Sequence, residues 1–163
     1  MIAEHGVAGT SARRVAAAAD VPLGSMTYHF EGMDELLREA FGRFSRQVAD
    51  QFERRMSAAT SIDEATDAVV SLITEDVFGS KRELVLSHEL YTLAAREEPY
   101  RELTSAWMAR SRAALERHFD PLTARMLDAS IEGLTIHRAL DIVAHDPEVT
   151  REMVRRIVGG VAP

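Results

Sequence analysis

The chain has 163 residues, a formal net charge of −7 and no cysteine. The lack of cysteine excludes a disulfide framework, a thiolate-held zinc or iron–sulfur site and a cysteine nucleophile. With 46% hydrophobic and 28% charged residues, the composition is that of a globular chain, not a disordered one. No apolar run approaches the ~20 residues of a membrane span and no signal peptide opens the sequence, so a soluble cytoplasmic protein is expected. A net negative charge would ordinarily argue against a nucleic-acid partner, but the charge is unevenly spread. Residues 1–61 hold seven Arg and eight acidic residues, whereas residues 62–163 hold twelve basic and eighteen acidic residues. The acidity therefore belongs to the second part.

Alanine and leucine are abundant, Gly and Pro are rare and β-branched runs are short, so the whole chain reads as helix. A first short piece ends at His5-Gly6. Ser11 is a fitting N-cap for a second, covering residues 12–19. Asp20-Val21-Pro22 makes a tight connection, and a third piece runs over residues 22–29. Gly32 breaks it. A long fourth helix follows from Met33 to Ser57, with an apolar stripe of Leu37, Phe41, Phe44, Val48, Phe52 and Met56. Ser61-Ile62-Asp63-Glu64 has the spacing of a capping box and opens a helix to residue 78. Further helices are expected over residues 81–96, 98–119, 121–145 and 147–159. Three of these starts pair an acidic residue with Pro, which has no donor to lose at the first helical position. The sequence contains no repeat of 20–50 residues and no low-complexity tract.

The second and third helices have the proportions of a helix-turn-helix. Small Ala16 lets the two axes approach, with Val15, Val21 and Met26 filling the core between them. The third helix then presents Leu23, Ser25, Thr27, Tyr28 and His29 outward, side chains suited to base edges, thymine methyls and phosphates. Arg13 and Arg14 stand early on the preceding helix, within reach of a phosphate or a guanine edge. The plainer alternative is a small helical subdomain with ordinary solvated residues.

Residues 5–37 resemble the DNA-binding region of tetracycline-repressor (TetR) family transcriptional regulators, over about a fifth of the chain. The matches are His5-Gly6, Ser11, Val15-Ala16, Val21, Gly24-Ser25, His29-Phe30 and Glu35-Leu36-Leu37. With these, the candidate DNA-binding set is Ser11, Arg13, Arg14, Leu23, Gly24, Ser25, Thr27, Tyr28 and His29. The resemblance implies an all-α fold, with a helix-turn-helix head over residues 1–45 and a helical ligand-binding and dimerisation domain over 46–163. It implies a homodimer on a palindromic double-stranded DNA operator, and a repressor released by a small hydrophobic effector of unidentified structure. Neither a cofactor nor catalysis is expected. Three positions depart from the family pattern. Asp20 stands where Gly is usual in the turn, Thr27 where Tyr is usual on the third helix, and Met33 where Lys opens the long helix. Asp tolerates left-handed backbone better than most residues. Losing the Lys should weaken nonspecific affinity and flatten its salt dependence by about one unit of slope. Family members also carry two or more helical turns before the residues matching Ile2–Gly6, so upstream residues are expected to be missing from this sequence.

By position, the resemblance places an effector pocket among the helices over residues 62–78, 81–96 and 101–119, closed by the long helix. Candidate lining residues are Phe52, Met56, Phe78, Leu90, Tyr91, Trp107 and Met108, with His88 or Glu89 as polar anchors. Dimerisation is expected through the helices over 101–119 and 121–145. The second of these is apolar on more than one face, through Leu127, Ile131, Leu134, Ile136, Leu140, Ile142 and Val143. The candidate interface residues are Leu127, Ile131, Leu134 and Arg138. A competing reading uses the same helix. His137, Asp141 and His145 recur every four residues, a spacing that could hold a metal in a helical-bundle metalloprotein or enzyme. Its plain alternative is a polar stripe that complements the helix dipole. No G-x-S-x-G, P-loop or GxGxxG occurs, and His88-Glu89 lacks the second His of a zinc-protease motif. A helical interaction protein that binds no DNA is the remaining alternative.

Overall fold

Side chains just outside the helices set most of their starts. The computed structural model describes residues 1–77, 79–143 and 145–160, with the backbone alone at Asp76. Its helices are α1 (Ile2–His5), α2 (Ala12–Ala18), α3 (Leu23–His29), α4 (Met33–Ser57), α5 (Ile62–Ser71), α6 (Lys81–Ala94), α7 (Glu98–Leu115), α8 (Pro121–Leu140) and α9 (Pro147–Gly159). Ser11, Ser61, Ser80, Asp120 and Asp146 each accept a hydrogen bond from an amide of the first turn that follows. Pro occupies the first turn of α7, α8 and α9, as the acid–Pro pairs led one to expect. The box at Ser61 closes one residue early. Ser61 Oγ accepts from the Glu64 amide at 3.2 Å, but Glu64 Oε2 reaches back to the Thr60 amide at 2.7 Å. The same return occurs at α4, where Glu35 Oε2 accepts from the Glu31 amide at 2.6 Å.

The turn between α2 and α3 is closed by backbone bonds. The Val21 amide donates to Ala16 O at 3.0 Å and the Asp20 amide to Ala17 O at 3.3 Å. These two bonds form a Schellman ending, which requires left-handed backbone at the residue just past the cap. Asp20 supplies it with φ 54°, so the turn forms without the usual glycine. Ala16 and Met26 are buried between the two helices. Val21 is not a core residue as expected; it is 40% exposed, because the turn swings it outward.

Helix α4 lies along α7 and carries two hydrophobic clusters. Near the head, Leu37, Phe41 and Ala49 pack with Leu90, Ala94, Tyr100 and Trp107, and Ile2, Val7 and Met33 close over them. Phe41 meets Tyr100 edge-on at 6.1 Å, and the Tyr100 hydroxyl donates to Asp34 Oδ1 at 3.3 Å. At the far end, Phe52 and Met56 pack with residues of α5, α7, α8 and α9, among them Val69, Ile73, Leu115, Leu127, Ile131 and Val154. Full burial of each such aliphatic side chain stabilises the fold by roughly 1.5–3 kcal/mol. Arg110 of α7 bridges back to α4, donating to Glu53 Oε1 at 2.7 Å and to Asp50 Oδ1 at 2.6 Å.

Three helices end earlier than expected. Helix α7 closes at Leu115, four residues short of 119. The helix from Ile62 passes at Leu72–Asp76 into a π-helical turn, after which Val77 is extended. Phe78 lies outside the described residues. Helix α8 stops at Leu140, with Asp141 extended, instead of continuing to 145. The β-branched pair Ile142-Val143 resists helix, and Pro147 drives the residue before it to extended backbone. No helix among the described residues is long and apolar enough to cross a membrane.

Leu127 is fully buried, whereas Ile62 at the start of α5 is 54% exposed. Leu127→Ala should lower the unfolding free energy by about 2–5 kcal/mol and Ile62→Ala by less than about 0.5 kcal/mol. Urea unfolding of the two variants beside the unaltered chain checks the contrast.

Candidate functional site

The outer face of α3 is the first site. Leu23, Gly24, Thr27, Tyr28 and His29 are exposed there, while Ser25 is half-buried. Thr27 donates its hydroxyl to Gly24 O at 3.0 Å. Tyr28 is 85% exposed and meets His29 edge-on at 5.0 Å. No neighbour stands within 4 Å of where a Cβ would sit on Gly24, so an approaching surface meets bare backbone. Arg13 is exposed beside this face. Arg14 instead donates to Gly9 O at 2.7 Å, bracing the loop before α2, and Ser11 caps α2. Met33, at the lysine position of the pattern, is partly buried on the head-side cluster.

The second site is a chamber between α4, α6, α7 and α8, made of two small cavities. The inner one, about 40 Å³, is lined by Val48, Phe52, Val77, Tyr91, Trp107, Met108, Ser111, Asp128, Ile131 and Glu132. The outer one, about 20 Å³, is lined by Phe44, Val48, Gln51, Phe52, Leu72, Val77, Glu83 and Ser87. They share Val48, Phe52 and Val77. A groove of about 620 Å³ on the head side shares Phe44, Val48, Gln51 and Glu83 with the outer cavity. Tyr91 and Trp107 stack at 5.9 Å with 17° between their planes, and Phe44 meets Trp107 edge-on.

The inner end is acidic. Arg112 reaches Asp128 Oδ2 at 3.2 Å, and both side chains are mostly buried. Burial pushes the Asp128 carboxyl above the usual aspartate range, against the opposing pull of Arg112 and Arg125. Burial also raises the Tyr91 phenol, and the Glu132 and Asp128 carboxylates add to that effect. Glu132 accepts a hydrogen bond from the Tyr91 hydroxyl and makes no ion pair among the described residues.

Of the lining residues expected from sequence, Phe52, Tyr91, Trp107 and Met108 meet in the inner cavity. Met56 and Leu90 are buried in the two clusters and line neither cavity, and Phe78 is outside the described residues. The polar anchors fall elsewhere. His88 donates from Nδ1 to Leu84 O at 2.8 Å and lines a shallow outer groove with Leu140. Glu89 clasps the head: its Oε2 accepts from the Val7 amide at 3.3 Å. Gly6 beside it has φ +66°, and a Cβ there would stand 2.8 Å from Glu89 Oε1. The polar residues that line the chamber are others: Gln51, Glu83, Ser87, Ser111, Asp128 and Glu132. The signal was present as a four-residue polar spacing, Glu83–Ser87–Tyr91, and as Asp128–Glu132 beside buried Leu127 and Ile131.

The four interface candidates need correction. Leu127 and Ile131 are buried within their own chain, and Leu134 packs on the same cluster. Arg138 turns inward and donates to Val77 O at 2.6 Å, holding the segment that walls both cavities. The outward stripe of α8 is instead Leu122, Met126, Ala129 and Leu140, with Gly133 half-buried and open beside it. The metal alternative fails on geometry. Asp141 follows the end of α8, and His145 lies in the next loop with Nε2 2.6 Å from Thr150 Oγ1. Among the described residues no group of three or more His, Cys, Asp or Glu could hold a metal ion.

Comparison with known proteins gives two family matches. Residues 1–40 match the bacterial regulatory proteins of the tetR family, and residues 60–160 match the tetracyclin repressor-like C-terminal domain. The structure of SCO7518, a candidate transcriptional regulator of Streptomyces coelicolor A3(2), is 57% identical, with a TM-score of 0.89 over 96% of this chain and 91% of that one. The multidrug-binding protein EbrR in complex with ethidium is 33% identical, with a TM-score of 0.76 over 96% and 91%. A Pseudomonas aeruginosa PAO1 protein with 19% identity and a TM-score of 0.82, over 98% and 84%, shares the fold. No curated protein sequence matches significantly.

Burial holds the Asp128 carboxyl proton in the folded chain. The folded chain holds that proton more tightly than the unfolded chain, so the resulting stability is present below the ordinary aspartate range and is lost as pH rises through the raised value. Asp128→Asn cannot ionise. Its unfolding free energy relative to the unaltered chain should therefore climb from about pH 3 to about pH 7. Urea unfolding across that range checks it; a falling difference would mean that pairing with Arg112 outweighs burial.

Proposed function

The chain belongs to the tetracycline-repressor family of bacterial regulators, and on that premise we propose that it is a dimeric cytoplasmic repressor released from DNA by a flat aromatic cation. The observation that carries the effector class is the inner cavity, where the stacked Tyr91 and Trp107 stand beside Glu132, which has no ion-pair partner among the described residues. Aromatic faces attract cations, and a carboxylate in an apolar cavity binds them more strongly than it would in water. EbrR, a relative, has been crystallised with ethidium, proflavin and malachite green. The exposed face of α3 with Arg13 supplies hydroxyl, imidazole, aromatic and guanidinium groups for a major groove. No catalytic role is proposed.

The mechanism follows from the size of the chamber. Cavities of about 20 and 40 Å³ are far short of the ~300–1,000 Å³ of an occupied small-molecule site. An effector seated between Tyr91 and Trp107 must therefore enlarge the inner cavity, parting α4 from α6. Helix α6 presents Ser87 and Tyr91 to the chamber and Glu89 to the head. Moving α6 thus moves or breaks the clasp on Val7, and the head leaves its DNA-competent position.

A second copy supplies the second head. The stripe Leu122, Met126, Ala129, Leu140 on α8, with exposed Val149 on α9, is apolar, and the open Gly133 admits a helix at close range. A two-fold axis there makes the contact self-complementary and sets two α3 helices toward successive major grooves, ~34 Å apart.

Selection from randomised duplex DNA should enrich an inverted repeat, and ethidium should release the bound protein. Failure to enrich any sequence would end the repressor reading. Arg13→Ala and Tyr28→Ala should each abolish binding to that site while light scattering still reports a dimer. Glu132→Gln should weaken ethidium binding about tenfold or more, measured by titration of dye fluorescence.

A further inference from the structure

Glu83, Ser87 and Tyr91 are spaced by four along α6, so they share one face of the helix. At 1.5 Å per residue, Glu83 stands about 12 Å along the axis from Tyr91. Tyr91 belongs to the inner cavity and the other two to the outer one. Ser87 is 1% exposed, and its Oγ has no hydrogen-bond partner. A helical serine can return its hydroxyl to the carbonyl of the preceding turn, and leaving a buried hydroxyl unmatched is costly. Here the hydroxyl is left to the cavity, beside a carboxylate and a carboxamide, Glu83 and Gln51.

We propose that the outer cavity is a second effector subsite, one that holds a protonated amine. The proposal rests on the reading of the inner cavity as an aromatic-cation site. An alkylammonium brings three donors, and the cavity offers three acceptors: the Glu83 carboxylate, Ser87 Oγ and the Gln51 amide oxygen. Val48, Phe52 and Val77 line both cavities, so the path between them suits a methylene linker. The preferred effector is therefore elongated. It has a flat aromatic cation at the Tyr91–Trp107 end and an amine about 12 Å away.

Three acridines separate the possibilities: 9-aminoacridine, its N-hexyl derivative and its N-(6-aminohexyl) derivative. With the unaltered chain, the aminohexyl compound should bind at least about tenfold more tightly than the hexyl compound, as measured by calorimetry. Glu83→Gln should shrink that gap to less than about threefold and leave 9-aminoacridine affinity unchanged. Ser87→Ala should also narrow the gap without lowering the unfolding midpoint, because it removes an unpaired hydroxyl. Equal affinity of the two tailed dyes, or a gap that survives Glu83→Gln, would overturn the amine subsite while the aromatic site stands. If none of the three dyes binds, the aromatic reading falls and takes this proposal with it.

Discussion

One unbroken helix holds the molecule together. Helix α4 runs 25 residues, about 37 Å, and both hydrophobic clusters are built on it. Leu37 and Phe41 anchor the cluster under the head, and Phe52 and Met56 anchor the one at the far end. A rigid rod with a buried face at each end cannot shift at one end alone, because close-packed side chains repack in discrete steps. The middle of the rod, at Phe44, Val48 and Gln51, is where the chamber lies. Any molecule that opens the chamber pushes on the one element common to both halves.

The head could be read from sequence because its constraints are local. Ser11 as an N-cap, Asp20 as the left-handed residue and Ala16 as the close-approach position are each decided by neighbours a few residues away. Pro at helix starts worked for the same reason. The end of α8 was missed because an apolar run says nothing about where a helix stops. Leu140, Ile142 and Val143 look like core in sequence and are exposed in the fold.

The chamber could be read only in part. Tyr91, Trp107, Met108 and Phe52 stood out as large side chains at helical spacing, but so did Met56 and Leu90, which are plain core. Spacing on one helix cannot say which neighbouring helix a side chain faces. The difference of a single residue on α6 decides the matter. Ser87 faces the chamber, while His88 bonds its own helix and Glu89 takes hold of the head. Glu132 and Asp128 were hidden by a like effect, since in sequence they read as the wet face of an amphipathic helix.

The near-closed chamber also bears on how such a sensor would respond to dose. A site that must be opened before it can be filled weakens the observed affinity by the fraction of molecules already open. An open state populated at ~1% makes the apparent dissociation constant ~100-fold weaker than that of a preformed cavity. The packing of Phe52, Val48 and Val77 between the two cavities therefore acts as a threshold. For the proposed effector, low concentrations would leave the chamber closed, and only an accumulating compound would open it.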